Sequence, residues 1–153
     1  MKIATAAYPL DVLTDWAAYE AKLSKWVAEA AGQGADLLVF PEYGAMELAS
    51  LAGADVAGNM QQALEATARY LPQADALHER LAIHYSVHIL AASAPVYDLG
   101  DRPTNQARLF GPSGQIGKQD KQIMTMGERA PEMNIIPGDP LQVFETPIGT
   151  LGV

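Results

Sequence analysis

An α/β layer fold is what this sequence predicts, and three observations carry the prediction. Leu37 to Phe40 and the stretch from His88 to Pro95 are short, continuously apolar runs, the pattern of strands buried on both faces. Ahead of the first lies a helical period, with Trp16, Tyr19, Leu23, Trp26, Val27 and Ala30 recurring at three- and four-residue steps. The overall order, strand–helix–strand–helix–strand and then two hairpins, suits helices layered on a sheet rather than a bundle or a closed barrel.

Taken in order, Lys2 to Tyr8 reads as a strand of small and apolar residues closed by Pro9. Thr14 or Asp15 caps the helix that follows, which runs to about Ala31 and ends at Gly32 and Gly34. A strand from Asp36 completes a β-α-β unit, which implies parallel pairing and a right-handed crossover. After Glu42 the chain turns rich in Ala, Gly and Met, and Met46, Leu48, Leu51 and Val56 are too sparse to force a pattern. A helix is expected from about Gln61, carrying Leu64, Ala68 and Leu71. Pro72 is expected to interrupt it before a second run from Gln73 to about Tyr85.

Beyond the His88 strand, a polar loop through Asp98, Gly100 and Asp101 leads to a strand at Asn105–Phe110. The turn Gly111-Pro112-Ser113-Gly114 returns Gln115–Lys121 as its hairpin partner. Met124 to Pro140, with its glycines and prolines, reads as an irregular loop of the kind that lines sites. Leu141–Glu145 and Thr150–Val153 then form a second hairpin around Pro147-Ile148-Gly149. No repeat or linker divides the chain, so residues 1–153 read as one domain or part of one.

Composition narrows the function classes. With 153 residues, 49% of them hydrophobic, a substantial core is possible. A net charge of −8 without a Lys/Arg cluster argues against nucleic acid as a partner. No apolar stretch approaches the ~18–20 residues of a membrane span. Pro9 and Asp11 cut the N-terminal apolar run too short for a signal peptide, so a cytoplasmic protein without a membrane partner is expected. Zero cysteines exclude disulfides and thiolate metal sites. His84 and His88 have metal-like i, i+4 spacing, but a helix-to-strand change is expected between them, so they read as structural and no metal site is expected.

Glu42 is the first candidate for chemistry. Pro41 stops the strand ladder, and Glu42 follows at the C-terminal edge of a buried strand, the edge where open α/β sheets bind ligands. A carboxylate buried there needs a cation or a proton close by. At Leu-Leu-Val-Phe-Pro-Glu the chain resembles the carbon–nitrogen hydrolase (nitrilase) superfamily, whose members carry a catalytic Glu after a strand ending in Pro-Glu and work with a Glu, a Lys and a Cys. The segment Asn105-Gln-Ala-Arg-Leu-Phe-Gly-Pro-Ser-Gly-Gln-Ile-Gly-Lys-Gln-Asp-Lys121 resembles that family's hairpin leading to its lysine. Strand alternation separates residues 117, 119 and 121 from 118 and 120, so Lys118 and Lys121 cannot both face the site. The resemblance favours Lys121 over Lys118. Glu128, in Met126-Gly-Glu-Arg-Ala-Pro131, resembles the Gly-Glu-x-x-Pro pattern of a second glutamate that orients substrate and lysine, and Glu132 is the alternative. Many members have a His two residues after the lysine, where this chain has Ile123. Val143 to Val153 resembles the approach to the family's nucleophile, whose cysteine falls a few residues beyond the glycine matched by Gly152.

The resemblance, spanning Ile3 to Val153, implies a four-layer α-β-β-α sandwich of which this chain supplies roughly the first half. It also implies an amidase-like enzyme acting on a small amide or nitrile through Glu42 as base and Lys121 at the oxyanion. The cysteine is then expected beyond Val153, with no cofactor and a homo-oligomer, a dimer or higher. The alternative is a catalytically inactive fragment or binding module that keeps the fold and a Glu42–Lys121 ion pair. A flavodoxin-like module would need a phosphate-binding loop, which the chain lacks.

Overall fold

The computed structural model describes residues 1–153. Strands β1 (Ile3–Thr5), β2 (Leu37–Val39) and β3 (His88–Val96) pair in parallel, and β4 (Thr104–Gly111) and β5 (Gly114–Asp120) extend the sheet antiparallel, in the order β1-β2-β3-β4-β5. Between the parallel strands run α1 (Trp16–Gly32), then a 3-10 segment (Gly44–Ala52), α2 (Ala54–Ala57) and α3 (Met60–Tyr85). After β5 come α4 (Met126–Arg129) and the hairpin β6 (Val143–Thr146) and β7 (Gly149–Gly152), which pair only with each other.

Strand order follows chain order, so crossovers of one hand place α1 and α3 on the same face of the sheet. The main core lies there: Leu23 and Val27 of α1 and Leu71, Leu77 and Leu81 of α3 pack on Leu38, Phe40, Ile89 and Phe110. The other face carries Leu37 and Leu109, covered by Phe144 of the hairpin. Gly117 of β5 makes that cover possible, because a Cβ there would overlap the Phe144 ring. Gly117→Val is therefore expected to pry the hairpin off the sheet at about 1–3 kcal/mol, read as a lowered denaturation midpoint. A variant as stable as wild type would show that the hairpin contributes nothing to the fold.

Several elements differ from the sequence reading, each for a physical reason. β1 is shorter than Lys2–Tyr8, although Ala6 N–H still bonds the Val39 carbonyl at 3.0 Å. Pro72 does not break α3, which runs unbroken through it. Pro72 is exposed, while buried Leu71, Ala74 and Leu77 hold the helix to the sheet on the other side. The patternless stretch after Glu42 is the 3-10 segment, whose buried Ala45 and Leu48 and half-buried Leu51 recur at steps of three, the period at which 3-10 side chains eclipse. α4 is a short helix inside the loop expected to be irregular.

The 3-10 segment is tied to the N-terminal loop by a buried charge cluster. Glu47, 4% exposed, accepts from Tyr8 Oη at 2.5 Å and from Lys22 Nζ at 2.6 Å, and Lys22 also pairs with Asp11 at 2.8 Å. Burial, then the bond to Glu47, pushes the Tyr8 phenol far up, so it stays a donor. No helix is long and apolar enough to cross a membrane.

Candidate active site

At the C-terminal edge of the parallel strands the sheet brings distant side chains together. Glu42 follows β2, and Lys121 follows β5, whose ladder is extended by the Lys121 N–H to Asn105 carbonyl bond at 2.8 Å. Lys121 Nζ lies 2.7 Å from Glu42 Oε1 and 2.8 Å from Glu128 Oε2, so one ammonium bridges two carboxylates. Asn105 Nδ2 donates to the same pair, at 2.9 Å to Glu42 Oε1 and 3.3 Å to Glu128 Oε1. Tyr43 Oη donates to Glu128 Oε1 at 2.7 Å. Glu42, Lys121 and Asn105 face a cleft of about 390 Å³ that Phe40, Leu90, Leu141 and Val153 also line.

Local structure explains how these groups are held. Tyr43 has φ 55°, the left-handed region that a bulky residue enters only when its surroundings hold it there. Its N–H bonds Ser93 Oγ at 2.9 Å, and Ser93 sits where the β3–β4 register slips between Ala91 and Ala94. Such a bulge re-aims a side chain toward a site. Thr125 caps α4 and forms a reciprocal capping box with Glu128, whose Oε2 takes the Thr125 N–H at 2.8 Å.

Electrostatically the cluster is asymmetric. Burial alone would raise the Glu128 pKa. Donors from Lys121, the Thr125 backbone, Tyr43 and the Thr125 hydroxyl outweigh it and hold the carboxyl at about 2. For Lys121 burial pulls downward, but the bonds to Glu128 and Glu42 prevail and raise it above its ordinary value. Burial, then the bond to Glu128, keeps Tyr43 a phenol. Because the folded-state value of Glu128 is depressed from 4.5 to about 2, its contribution to stability is present above about pH 4.5 and is lost as pH falls toward 2. Wild type is therefore expected to lose more stability across that window than Glu128→Gln does, by denaturant titration at both pH values.

Of the residues singled out in the sequence, Glu42, Lys121 and Glu128 converge. Glu132 is exposed and takes no part in the hydrogen bonds of the cluster. Lys118 points the other way and pairs with Asp98 at 3.0 Å on the surface. His84 is exposed and His88 is buried in β3 with Nε2 unpartnered, and no His, Cys, Asp or Glu group has the arrangement to hold a metal. Tyr43, Ser93 and the side chain of Asn105 escaped sequence reasoning. Thr125 had a legible signal, since Thr-x-x-Glu is the capping-box spacing.

The family model for carbon–nitrogen hydrolases matches residues 2–153. Among solved structures, an amidase from Nesterenkonia sp. AN1, a glutamate-to-glutamine mutant with acrylamide added at its active-site cysteine, superposes with a TM-score of 0.66 at 20% identity, over 99% of this chain and 56% of that one. A carbon–nitrogen hydrolase from Helicobacter pylori G27 gives 0.67 at 18% identity, over 98% of this chain and 48% of that one. A glutamine-dependent NAD+ synthetase from Acinetobacter baumannii gives 0.68 at 16% identity, over 98% and 26%. No curated protein matches the sequence. The chain thus spans about half the length of the first two structures, and shares with them the α/β layer fold of the nitrilase-like sandwich. With the family pattern running through the strand before Glu42, the hairpin that carries Lys121 and the loop of Glu128, this chain belongs to the carbon–nitrogen hydrolase family.

Proposed function

We propose that residues 1–153 are the N-terminal part of a single hydrolase domain that cleaves a small non-peptide amide or nitrile through a Glu-Lys-Cys mechanism, with Glu42, Lys121 and Glu128 as its residues in this chain. The observation that carries this reading is the bridge of Lys121 between two carboxylates at the mouth of a cleft, with Glu42 half exposed to it (55% of its side chain). The chain contains no cysteine, so the nucleophile is proposed just beyond Val153, which lines the same cleft as Glu42.

With an amide substrate, Glu42 takes the thiol proton and the thiolate adds to the carbonyl carbon. Lys121 donates to the oxygen that gains the charge. As the C–N bond breaks, Glu42 returns the proton to the departing nitrogen and a thioester remains. Water then gives a proton to Glu42 and adds to the thioester. Collapse breaks the C–S bond, releases the carboxylic acid and restores the thiol. Glu128 holds Lys121 against Glu42 and keeps its charge fixed. The reading implies no cofactor, a homo-oligomer, and action in the cytoplasm.

The inactive-module alternative is favoured by the absence of cysteine. Alkylation decides between them: in the parent polypeptide a cysteine within about ten positions of Val153 should react with iodoacetamide faster than in its Glu42→Gln variant, because the base raises the thiolate fraction. Equal rates, or no cysteine there, leave only the inactive module.

A further inference from the structure

Glu42 receives both of its hydrogen bonds on one oxygen. Lys121 Nζ and Asn105 Nδ2 converge on Oε1 at 2.7 and 2.9 Å, and Oε2 has no protein partner. Two donors on one oxygen stop the carboxylate from turning over and leave the lone pairs of Oε2 open to a proton. Asn105 is built for this. It is 2% exposed on β4, its carbonyl accepts the Lys121 N–H, and β3 flanks it on the other side through Pro95. Its second amide hydrogen reaches Glu128 Oε1 at 3.3 Å. These two acceptors settle the amide's orientation, since an oxygen in place of Nδ2 would face two carboxylates. The other end, Oδ1, is left buried without a partner, a desolvation the fold carries in order to keep the N–H end on the cluster.

We infer that Asn105 is a positioning residue of this site: it separates the two carboxylates that share the Lys121 ammonium and selects Oε2 as the basic oxygen of Glu42. Two carboxylates on one cation leave a net negative charge, and only a neutral group donating to both can hold them in place without adding another. A hydroxyl has one hydrogen to give, and a carboxylate has none. The kinetic consequence rests on the hydrolase reading above, whereas the positioning itself does not.

Nitrogen-15 NMR of the wild-type chain tests the positioning directly. The two Asn105 side-chain protons are expected to be inequivalent and slow to exchange, one displaced by Glu42→Gln and the other by Glu128→Gln. Fast-exchanging protons indifferent to both substitutions overturn the inference without any Asn105 variant. In the polypeptide that includes the nucleophile, Asn105→Leu should lower kcat by about 10- to 100-fold while KM stays within about threefold. Asn105→Asp should be nearly inactive at neutral pH, with its rate maximum moved to lower pH, where the new carboxyl regains a hydrogen to donate. That displaced profile is one a merely structural residue would not produce, and it still decides if Asn105→Leu fails to fold. Full turnover in Glu42→Gln would sink the hydrolase reading. Loss of turnover in Glu42→Gln, with wild-type kcat and pH profile in both Asn105 variants, would sink the role of Asn105 alone.

Discussion

In the thiol hydrolase proposed above, Glu42→Gln is expected to lower kcat/KM by about 10²- to 10⁴-fold, the range for loss of a positioned general base. The substitution is nearly isosteric. Its amide oxygen can still accept from Lys121 and Asn105, as Glu42 Oε1 does at 2.7 and 2.9 Å, so the fold should survive. Glu128, 3% exposed, continues to neutralise the ammonium. What disappears is the basicity of the free oxygen. Steady-state kinetics against a panel of small amides and nitriles checks the effect, with a thermal melt beside it. A variant within tenfold of wild type would remove Glu42 from the reaction.

Under the same proposal Lys121→Met should be costlier, because it would act on the chemistry and on the fold together. Removing an oxyanion donor costs about 10²- to 10³-fold in kcat. It also strands Glu128 in a buried position, and breaking such a pair by deleting one partner costs about 3–5 kcal/mol. The pH dependence then flattens. In wild type Glu128 sits at about 2 and its stabilisation fades as pH falls from 4.5. Without the ammonium the first of its lowering donors is gone, and burial raises Glu128 against the Thr125 and Tyr43 donors that remain, so the variant should lose less stability than wild type as pH falls. Urea midpoints at pH 7 and pH 3 measure the difference, and a variant that declines in parallel with wild type would mean that Lys121 is not what holds Glu128 ionised.

The fold was legible wherever local pattern and final packing agree. Leu37–Val39 and His88–Val96 announce themselves as buried strands, and the spacing of Tyr19, Leu23 and Val27 announces α1. The choice of Lys121 over Lys118 needed only the alternation of a strand and a resemblance, and the side chains do point to opposite places. Pro72 misled because propensity is local, whereas the apolar face that keeps α3 continuous is tertiary. Tyr43 and Ser93 left no mark in the sequence, since a positive φ and a bulge in β3 are visible only once β3 and β4 pair. Asn105 was legible as a strand residue but not as a donor, because its two acceptors arrive from segments 63 and 23 residues away.

Those separations also set an order in time. Glu42 and Lys121 are 79 residues apart, which at ~5–20 residues per second of synthesis is a wait of about 4–16 s. Glu47, on the 3-10 segment just after Glu42, has no such wait, for Lys22 lies 25 residues upstream and has already emerged. The nascent chain can thus neutralise the buried Glu47 early, while Glu42, half open to water, tolerates standing alone until the hairpin that brings Lys121 leaves the ribosome. The exposure that leaves Glu42 accessible in the folded cleft is also what lets it remain unpaired and harmless during synthesis.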